Sequence, residues 1–300
     1  MRIDLPTRGL HLDYQWHGPE QGPVLILIMG LGMQRVAWPP ELIDGLVAQG
    51  LRVLTFDNRD IGLSGSGHIA AHMGVRRSFL RYLLRRPIRP PYTLDEMAAD
   101  TLALADTLGI ARFHVAGASM GGMIGQQLAL MAPARVLTLT SIMSSAGPRA
   151  APFPEWRVLQ RMLRAPPQHS SHEQRVDHYV ALFTELGRHH EPAEIERLRR
   201  GLGAAMARAY RPDGTMRQLL AITADADRSQ RLREMRTPTL IIHGGADPLV
   251  PVRAAHHLAA VIPGARMQII DRMGHDLPAW AIPQLVDLMV EQTRTAPTPG

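Results

Sequence analysis

The chain alternates short apolar runs with segments whose apolar residues recur at helical spacing. The runs show no helical period, and each has the length of a strand that is buried on both faces of a sheet. Six such runs stand out, at 23–30, 51–57, 111–117, 135–143, 237–244 and 265–271. The helical patterns include 39–50, 93–109, 120–133 and 282–293. This alternation predicts an α/β fold with a mostly parallel sheet and helices on both faces.

Two local patterns refine this prediction. Residues 9–18 alternate polar and apolar positions, as expected for an antiparallel strand at the edge of the sheet. The segment 93–109 is the clearest helix, because Thr93 and Glu96 form a capping box at its start and Gly109 stands at its end. The sheet should therefore have an antiparallel edge, and this helix should have defined ends.

One long interval, 146–236, departs from the alternation. It contains no clear buried strand, and it begins rich in proline before continuing through helical segments. We interpret it as a helical insertion, so that 1–145 and 237–300 form the core and 146–236 forms a helical cap (lid). We expect both ends of the insertion at the edge of the sheet where ligands bind in α/β folds, which would place it over that edge. The apolar face of one helix within it consists of Val176, Tyr179, Val180 and Phe183.

A single serine lies in a glycine-rich turn directly after the run 111–117. Gly117 and Gly121 flank Ser119 in the pattern Gly-x-Ser-x-Gly, and a helical segment begins at the next residue. In this strand–turn–helix setting the chain reverses so sharply that the serine hydroxyl points outward, and side chains at the glycines would collide with neighbouring elements. The amides at the start of the helix favour negative charge there. Ser119 is therefore a predicted nucleophile; the alternative is a glycine-rich turn without chemistry.

A serine hydroxyl is a weak nucleophile unless a base removes its proton. In proteins with this kind of turn, the acid and the histidine follow the serine along the chain. Asp247 lies in a tight turn after the fifth apolar run, and His275 lies in a loop after the sixth. An acid after the preceding apolar run, 135–143, is not favoured, because the first carboxylate that follows this run is Glu155. We predict Asp247 as the acid and His275 as the base, in hydrogen-bonding contact.

The oxygen that becomes negative during attack on a carbonyl needs hydrogen-bond donors. One predicted donor is the amide of Met120, the residue after the serine. The other should come from the glycine-bearing loop 28–34, where we predict Leu31, with Gly30 or Gly32 as alternatives. The residues predicted to contact substrate are Gly30, Gly32, Met33 and Met123, although core packing explains the methionines equally well.

Composition excludes several chemistries. The chain has no cysteine, which excludes thiolate catalysis and thiolate metal sites, and no lysine, which excludes Schiff-base chemistry. Its net charge of +6 is spread along the chain except at 76–89, where six arginines fall together. Nucleic-acid binders usually concentrate such charge on one face, so we predict no nucleic-acid partner. The segment 76–89 is interpreted as a solvated face, with an anionic surface or ligand as the alternative.

Other features point to a protein without membrane or metal chemistry. No apolar stretch reaches the length of a membrane span, and the first residues lack the apolar core of a signal peptide, so we expect a cytoplasmic protein without stable membrane insertion. The histidines lack convergent carboxylates, so no metal site is predicted. His114 and His243 fall within strands, and packing or hydrogen bonding is the expected role of each.

The motifs together resemble a known family. "IMGLGMQ", "FDNRDIGLS", "PYTLDEMAAD", "GASMGG", "HGGADPLVP" and "MGHDLP", in this order, are similar to the α/β-hydrolase superfamily, most of all to bacterial carboxylesterases and the aclacinomycin methylesterase-like group. The resemblance covers 30–145 and 237–290 and implies an eight-stranded, mostly parallel sheet. It also implies a cofactor-free serine hydrolase with Ser119, Asp247 and His275 as its triad. The signature 57–64 is given a structural role.

The expected function is hydrolysis of a small-molecule carboxylic ester through an acyl-enzyme. The same residues would serve a lactonase, a C–C bond hydrolase, or an acyltransferase or perhydrolase, because the fold alone does not determine the reaction. Outside enzymes, the alternatives are a ligand-binding protein and a protein that binds anionic surfaces through 76–89. Turnover of a chromogenic ester separates the enzyme from both.

Overall fold

The chain folds around one eight-stranded sheet in the computed structural model, which describes residues 1–70, 74–84, 86–148, 150, 153–162, 164, 169–188 and 191–296. The strands are β1 (Arg2–Leu5), β2 (Leu10–His17), β3 (Val24–Ile28), β4 (Arg52–Phe56), β5 (Phe113–Ala118), β6 (Val136–Ile142), β7 (Thr239–Gly244) and β8 (Arg266–Ile270). Their order is β1-β2-β4-β3-β5-β6-β7-β8. β1 and β2 pair antiparallel with their neighbours, and every other pairing is parallel. The predicted α/β class and eight-stranded sheet are confirmed.

All six apolar runs form strands. β3 to β7 are buried along most of their length on both faces, whereas in β8, at the edge of the sheet, only Ile270 is buried. In β5, Val115 packs into a cluster on one face of the sheet, whereas Ala116 packs into a second cluster on the other face. Strands that are buried on both faces have no polar face, which explains why the runs do not alternate. The alternating segment 9–18 contains β2, as predicted. The periodicity did not indicate β1, because Leu5 is the one fully buried residue of that short edge strand.

Helices cover both faces of this sheet. They are α1 (Pro40–Ala48), α2 (Val75–Leu83), α3 (Leu94–Thr107), α4 (Met120–Met131), α5 (Trp156–Met162), α6 (His172–Gly187), α7 (Pro192–Arg208), α8 (Pro212–Ala224), α9 (Ser229–Leu232), α10 (Arg253–Val261) and α11 (Ile282–Arg294). α1 and α11 lie on one face, and α3, α4 and α10 lie on the other. The predicted capping box of α3 is present, since the Glu96 amide donates to Thr93 Oγ1 and the Thr93 amide donates to Glu96 Oε2.

The described residues of 146–236 form α5 to α9 and no strand. The insertion leaves the sheet at the carboxyl end of β6, but β6 and β7 are parallel, so the chain rejoins the sheet at the opposite edge. The expectation that both ends lie at one edge is therefore wrong, because consecutive parallel strands need a crossover. The return runs through α9, which contacts α4 and α10, and Leu232 and Met235 pack into the core cluster of that face.

Buried ion pairs hold the insertion against the core. Arg208 of α7 donates from Nη1 to Asp57 Oδ2 at 2.7 Å and from Nη2 to Asp13 Oδ2 at 2.5 Å. Asp57 also accepts from the Leu63 amide at 3.0 Å and so ties the loop after β4, in keeping with the structural role expected for the signature 57–64. Asp57 is fully buried and therefore depends on these partners.

The arginine-rich segment 76–89 contains α2, which packs against α8 of the insertion. Arg77, Arg86 and Arg89 are exposed, while Arg85 lies outside the described residues. No helix in the described part of the chain combines the length and the apolar character that a bilayer span requires.

The titration of His114 in the middle of the sheet gives a test of this fold. The side chain is 4% exposed, its Nδ1 lies 2.8 Å from Thr138 Oγ1, and burial lowers the pKa of His114 from 6.5 to about 4. The folded protein therefore binds this proton less readily than the unfolded chain. The stabilisation is complete above pH 6.5 and is lost as the pH falls towards 4, by about 3 kcal/mol.

We expect the free energy of unfolding of the wild type to fall more steeply between pH 7 and pH 4 than that of His114→Gln, as measured by urea denaturation. His256→Gln, at an exposed position of α10, serves as the control and should keep the wild-type dependence. A His114→Gln variant with the wild-type pH dependence would contradict the assignment.

Candidate active site

The three predicted catalytic residues come together at one edge of the sheet. Ser119 follows β5, Asp247 follows β7 and His275 follows β8. These strands are parallel, so their carboxyl ends share an edge, and only β6 separates β5 from β7. Ligands of open α/β sheets bind at this edge.

Ser119 stands in a strained backbone conformation between β5 and α4. Its φ of 55° and ψ of −116° fall in a region that residues with a side chain rarely adopt. The neighbouring strand holds this turn, because the Ser119 amide donates to the Ile142 carbonyl at 2.8 Å and the Ser144 hydroxyl donates to the Ser119 carbonyl at 2.8 Å. The hydroxyl of Ser119 is thereby presented at the end of the sheet rather than within it.

The glycines around the serine are required by close approach of backbone to backbone. A Cβ on Gly117 would lie 2.1 Å from the Gly121 carbonyl oxygen, and a Cβ on Gly121 would lie 1.9 Å from the Ile28 carbonyl oxygen. A Cβ on Gly122 would lie 2.7 Å from Ser144 Cβ. Since backbone atoms cannot move aside as a flexible side chain can, the turn excludes any residue with a side chain at the first two positions.

Asp247 and His275 form a buried pair. His275 Nδ1 lies 2.7 Å from Asp247 Oδ2, and the two residues are 8% and 6% exposed, respectively. The other carboxylate oxygen, Oδ1, accepts the amides of Leu249 and Val250 at 2.8 Å each. The carboxylate accepts the Nδ1 proton, which leaves Nε2 as the basic nitrogen of the ring. Among the described residues no hydrogen bond joins His275 to Ser119.

A second histidine lies next to Asp247. His243 is fully buried, and its Nε2 lies 2.7 Å from the Val250 carbonyl oxygen and 3.5 Å from Asp247 Oδ2. Burial lowers the pKa of His243, so the ring stays neutral and donates to the carbonyl. The predicted hydrogen-bonding role is therefore confirmed, whereas the contact with Asp247 was not predicted.

The loop 28–34 lies directly against the serine. A Cβ on Gly30 would lie 3.3 Å from Ser119 Cβ and 3.9 Å from Ser119 Oγ. The amide of Met33 donates to the Gly30 carbonyl at 3.2 Å, and the amide of Gly32 donates to Gln218 Oε1 at 2.9 Å. The Gly32 amide is thus already engaged. Met120 is the first residue of α4, and such a position has no acceptor within its helix.

The remaining residues predicted to contact substrate occupy different surroundings. Met33 is partly buried and packs both against the core and against an apolar cluster of the insertion that includes Tyr179 and Phe183. Met123 is 6% exposed and packs within the main core. A Cβ on Gly32 would lie 2.8 Å from Thr215 of the insertion, so this glycine faces protein.

The insertion also touches the loops of the acid and the histidine. The His275 amide donates to the Leu186 carbonyl at 2.8 Å, and a Cβ on Gly274 would lie 2.4 Å from that same oxygen. Leu249, two residues after the acid, packs with Leu182 and Leu186 of α6. These contacts were not predicted, because the partners are far apart in sequence. In the described part of the chain no cluster of three or more metal-ligating side chains occurs.

Comparison with known proteins agrees with this geometry. Residues 23–281 match the family described as alpha/beta hydrolase fold. The chain is 31% identical to rhodomycin D methylesterase DnrP of Streptomyces peucetius and 30% identical to DauP of Streptomyces sp. (strain C5), over 93% of this chain and of each relative. A solved hydrolase from Pseudomonas aeruginosa PA01 superimposes with a TM-score of 0.68 at 26% identity, covering 96% of this chain and 95% of that one. The chain therefore belongs to the α/β-hydrolase fold family.

Proposed function

We propose that this chain hydrolyses carboxylic esters through a covalent acyl-enzyme on Ser119, with His275 as the base and Asp247 as its acid partner. The observation that carries the proposal is the buried 2.7 Å contact between His275 Nδ1 and Asp247 Oδ2, at the edge where Ser119 stands at positive φ. The relatives named as methylesterases confirm the predicted enzyme class, a carboxylic ester hydrolase. The roles of the individual residues are our proposal.

The proposed reaction has two halves. In the first, His275 Nε2 takes the proton of Ser119 as Oγ bonds to the ester carbonyl carbon, and Asp247 stabilises the imidazolium through Nδ1. His275 then gives this proton to the leaving alcohol as the ester C–O bond breaks, which leaves the acyl group on Oγ. In the second half, His275 deprotonates a water that attacks the acyl carbon, and the acid leaves as the serine is reprotonated.

Two backbone amides are proposed to stabilise the negative oxygen in both halves. The Met120 amide lies beside the nucleophile at the first position of α4, where it has no acceptor within the helix. Leu31 is the preferred second donor, because the Gly32 amide is engaged by Gln218, and the Met33 amide holds the Gly30 carbonyl, which belongs to the same peptide group as the Leu31 amide. Removing one such donor costs roughly 3–4 kcal/mol of transition-state stabilisation.

Methyl esters of apolar acids are the substrates that we propose to test first. The relatives are named for methyl ester cleavage, which indicates a small alcohol. The insertion places an apolar cluster of α6 and α7 against Met33 of the loop beside the serine, which favours an apolar acyl group. A panel that also contains p-nitrophenyl esters, lactones and a C–C bond substrate tests the reaction class directly.

We also propose that the insertion 146–236 acts as a cap over the serine. Its apolar residues reach Met33 on one side of the site and Leu249 on the other. Tyr179 and Phe183 belong to both of these clusters and are only partly buried. They are therefore the side chains best placed to meet the acyl group.

Replacement of the nucleophile should abolish turnover. We expect Ser119→Ala to lower kcat/KM for p-nitrophenyl acetate more than about 1,000-fold with an unchanged circular dichroism spectrum, because no other group can form the acyl-enzyme. Ser141→Ala is the matched control, since this buried hydroxyl of β6 has no hydrogen-bond partner among the described residues. Activity of Ser119→Ala above about a tenth of wild type would remove the serine from this role.

Truncation of the apolar face of α6 at Phe183 should change selectivity rather than chemistry. We expect Phe183→Ala to lower kcat/KM for a long-chain ester relative to the acetate by about tenfold, because apolar contacts to the acyl chain are lost. Glu173→Ala, at an exposed position of the same helix, should leave the ratio unchanged. An equal loss on all esters in folded protein would argue against a cap that selects substrate.

A further inference from the structure

A buried glutamine of the insertion reaches between two loops of the core. Gln218 of α8 is fully buried. Its Oε1 accepts the Gly32 amide at 2.9 Å, and its Nε2 donates to the Arg59 carbonyl at 2.9 Å. The two contacts fix the orientation of the side-chain amide, because the acceptor faces an N–H group and the donor faces a carbonyl.

The helix that carries this glutamine, α8, packs closely against the loop after β4. A Cβ on Gly214 would lie 2.0 Å from the Asp60 carbonyl oxygen, so α8 touches the backbone of the loop after β4. Arg217 donates from Nε and Nη2 to the two carboxylate oxygens of Asp60 at 2.8 and 3.0 Å. Asp60 is itself fully buried. Gln218 therefore projects from a helix that cannot slide without breaking buried contacts.

The two hydrogen bonds of the loop hold the peptide groups on either side of Leu31. The Leu31 amide shares one planar peptide group with the Gly30 carbonyl, which the Met33 amide holds. In a trans peptide the N–H and C=O groups point in opposite directions, so this bond sets the direction of the Leu31 amide. The next peptide group contains the Gly32 amide, which Gln218 holds. Gly32 has a φ of +70° and would tolerate rotation on its own.

We propose that Gln218 is a positioning residue for the oxyanion donor of Leu31, an inference that rests on the function proposed above. Gln218 does not touch the reacting atoms. Through its hydrogen bond to the Gly32 amide, it fixes the peptide group after Leu31 against α8. The Leu31 amide therefore stays directed at the carbonyl oxygen of the substrate. The insertion thus contributes to turnover of every ester, in addition to selecting among them.

The test replaces the glutamine by a residue of similar length without hydrogen-bonding groups. We expect Gln218→Met to lower kcat about 10- to 100-fold for every ester, the acetate included, because a displaced donor loses much of its effect on the transition state. KM should stay within about twofold, since the donor acts on the transition state. Gln218→Asn, which is too short to reach both loops, should act in the same direction and serves if the methionine variant does not fold.

Gln292→Met is the matched control. Gln292 is also a buried glutamine with two contacts, since it donates to the Pro238 carbonyl and accepts from Arg266, but it lies on α11 away from the loop 28–34. The same substitution there should lower stability without lowering kcat. Comparison of the two variants at equal folded fraction separates loss of stability from loss of positioning.

A second measurement, of inhibitor affinity, tests stabilisation of the negative oxygen separately from substrate binding. A trifluoromethyl ketone adds to the serine and carries a negative oxygen, whereas the corresponding amide binds without reaction. In Gln218→Met the affinity for the trifluoromethyl ketone should fall by the same factor as kcat, and the affinity for the amide should be unchanged. Unchanged affinity for the ketone, or a loss of kcat on long esters alone, would overturn the positioning role.

The catalytic role of Ser119 and the positioning role of Gln218 can be refuted independently. If Ser119→Ala remains active, the proposed function itself is wrong. If Ser119→Ala is inactive while Gln218→Met keeps wild-type kcat on all esters, the function stands and the role of Gln218 is refuted.

Discussion

The turn between β5 and α4 leaves no space for a side chain at Gly117 or Gly121, and the rest of the site depends on this constraint. Gly117 meets the backbone of Gly121, and Gly121 meets the backbone at Ile28, so three segments of main chain converge on one point. The helix must begin at Met120, directly after the serine. Ser119, the Met120 amide and the loop 28–34 are consequently brought together by the packing of backbone against backbone.

Asp247 and His275 are held by a separate arrangement. The two carboxylate oxygens of Asp247 have different partners. Oδ1 accepts two amides of its own loop, and Oδ2 contacts His275. His243 stays neutral behind it and ties the same loop through Val250. The insertion contacts both the loop of His275 and the loop 28–34. The Leu186 carbonyl accepts the His275 amide, and Gln218 accepts the Gly32 amide. A segment that could have been a passive cover is therefore part of the framework of the site.

Local patterns in the sequence predicted much of this structure. The continuous apolar runs predicted the strands because both faces of the sheet are covered, and the glycines around Ser119 predicted the turn because only glycine fits there. The sequence did not indicate β1, which buries a single leucine, or the return of the insertion to the opposite edge, which runs through the four-residue α9.

Contacts between distant segments could not be predicted in the same way. Gln218 lies 186 residues from Gly32, and neither periodicity nor a motif connects the two. The Asp247–His275 pair was predictable because each residue follows a strand, which places both at the same edge. No comparable sequence pattern predicts the contact of Arg208 with Asp57, because this contact depends on how the insertion packs against the core.

Labelling by a fluorophosphonate tests most directly the claim that His275 and Asp247 activate Ser119. The reagent bonds covalently to a serine whose proton is removed by a neighbouring base, and peptide mapping by mass spectrometry identifies the modified residue. We expect one adduct per chain on Ser119, formed far more slowly in His275→Gln than in the wild type. An adduct on another serine, or labelling of Ser119 at the same rate in both proteins, would contradict it.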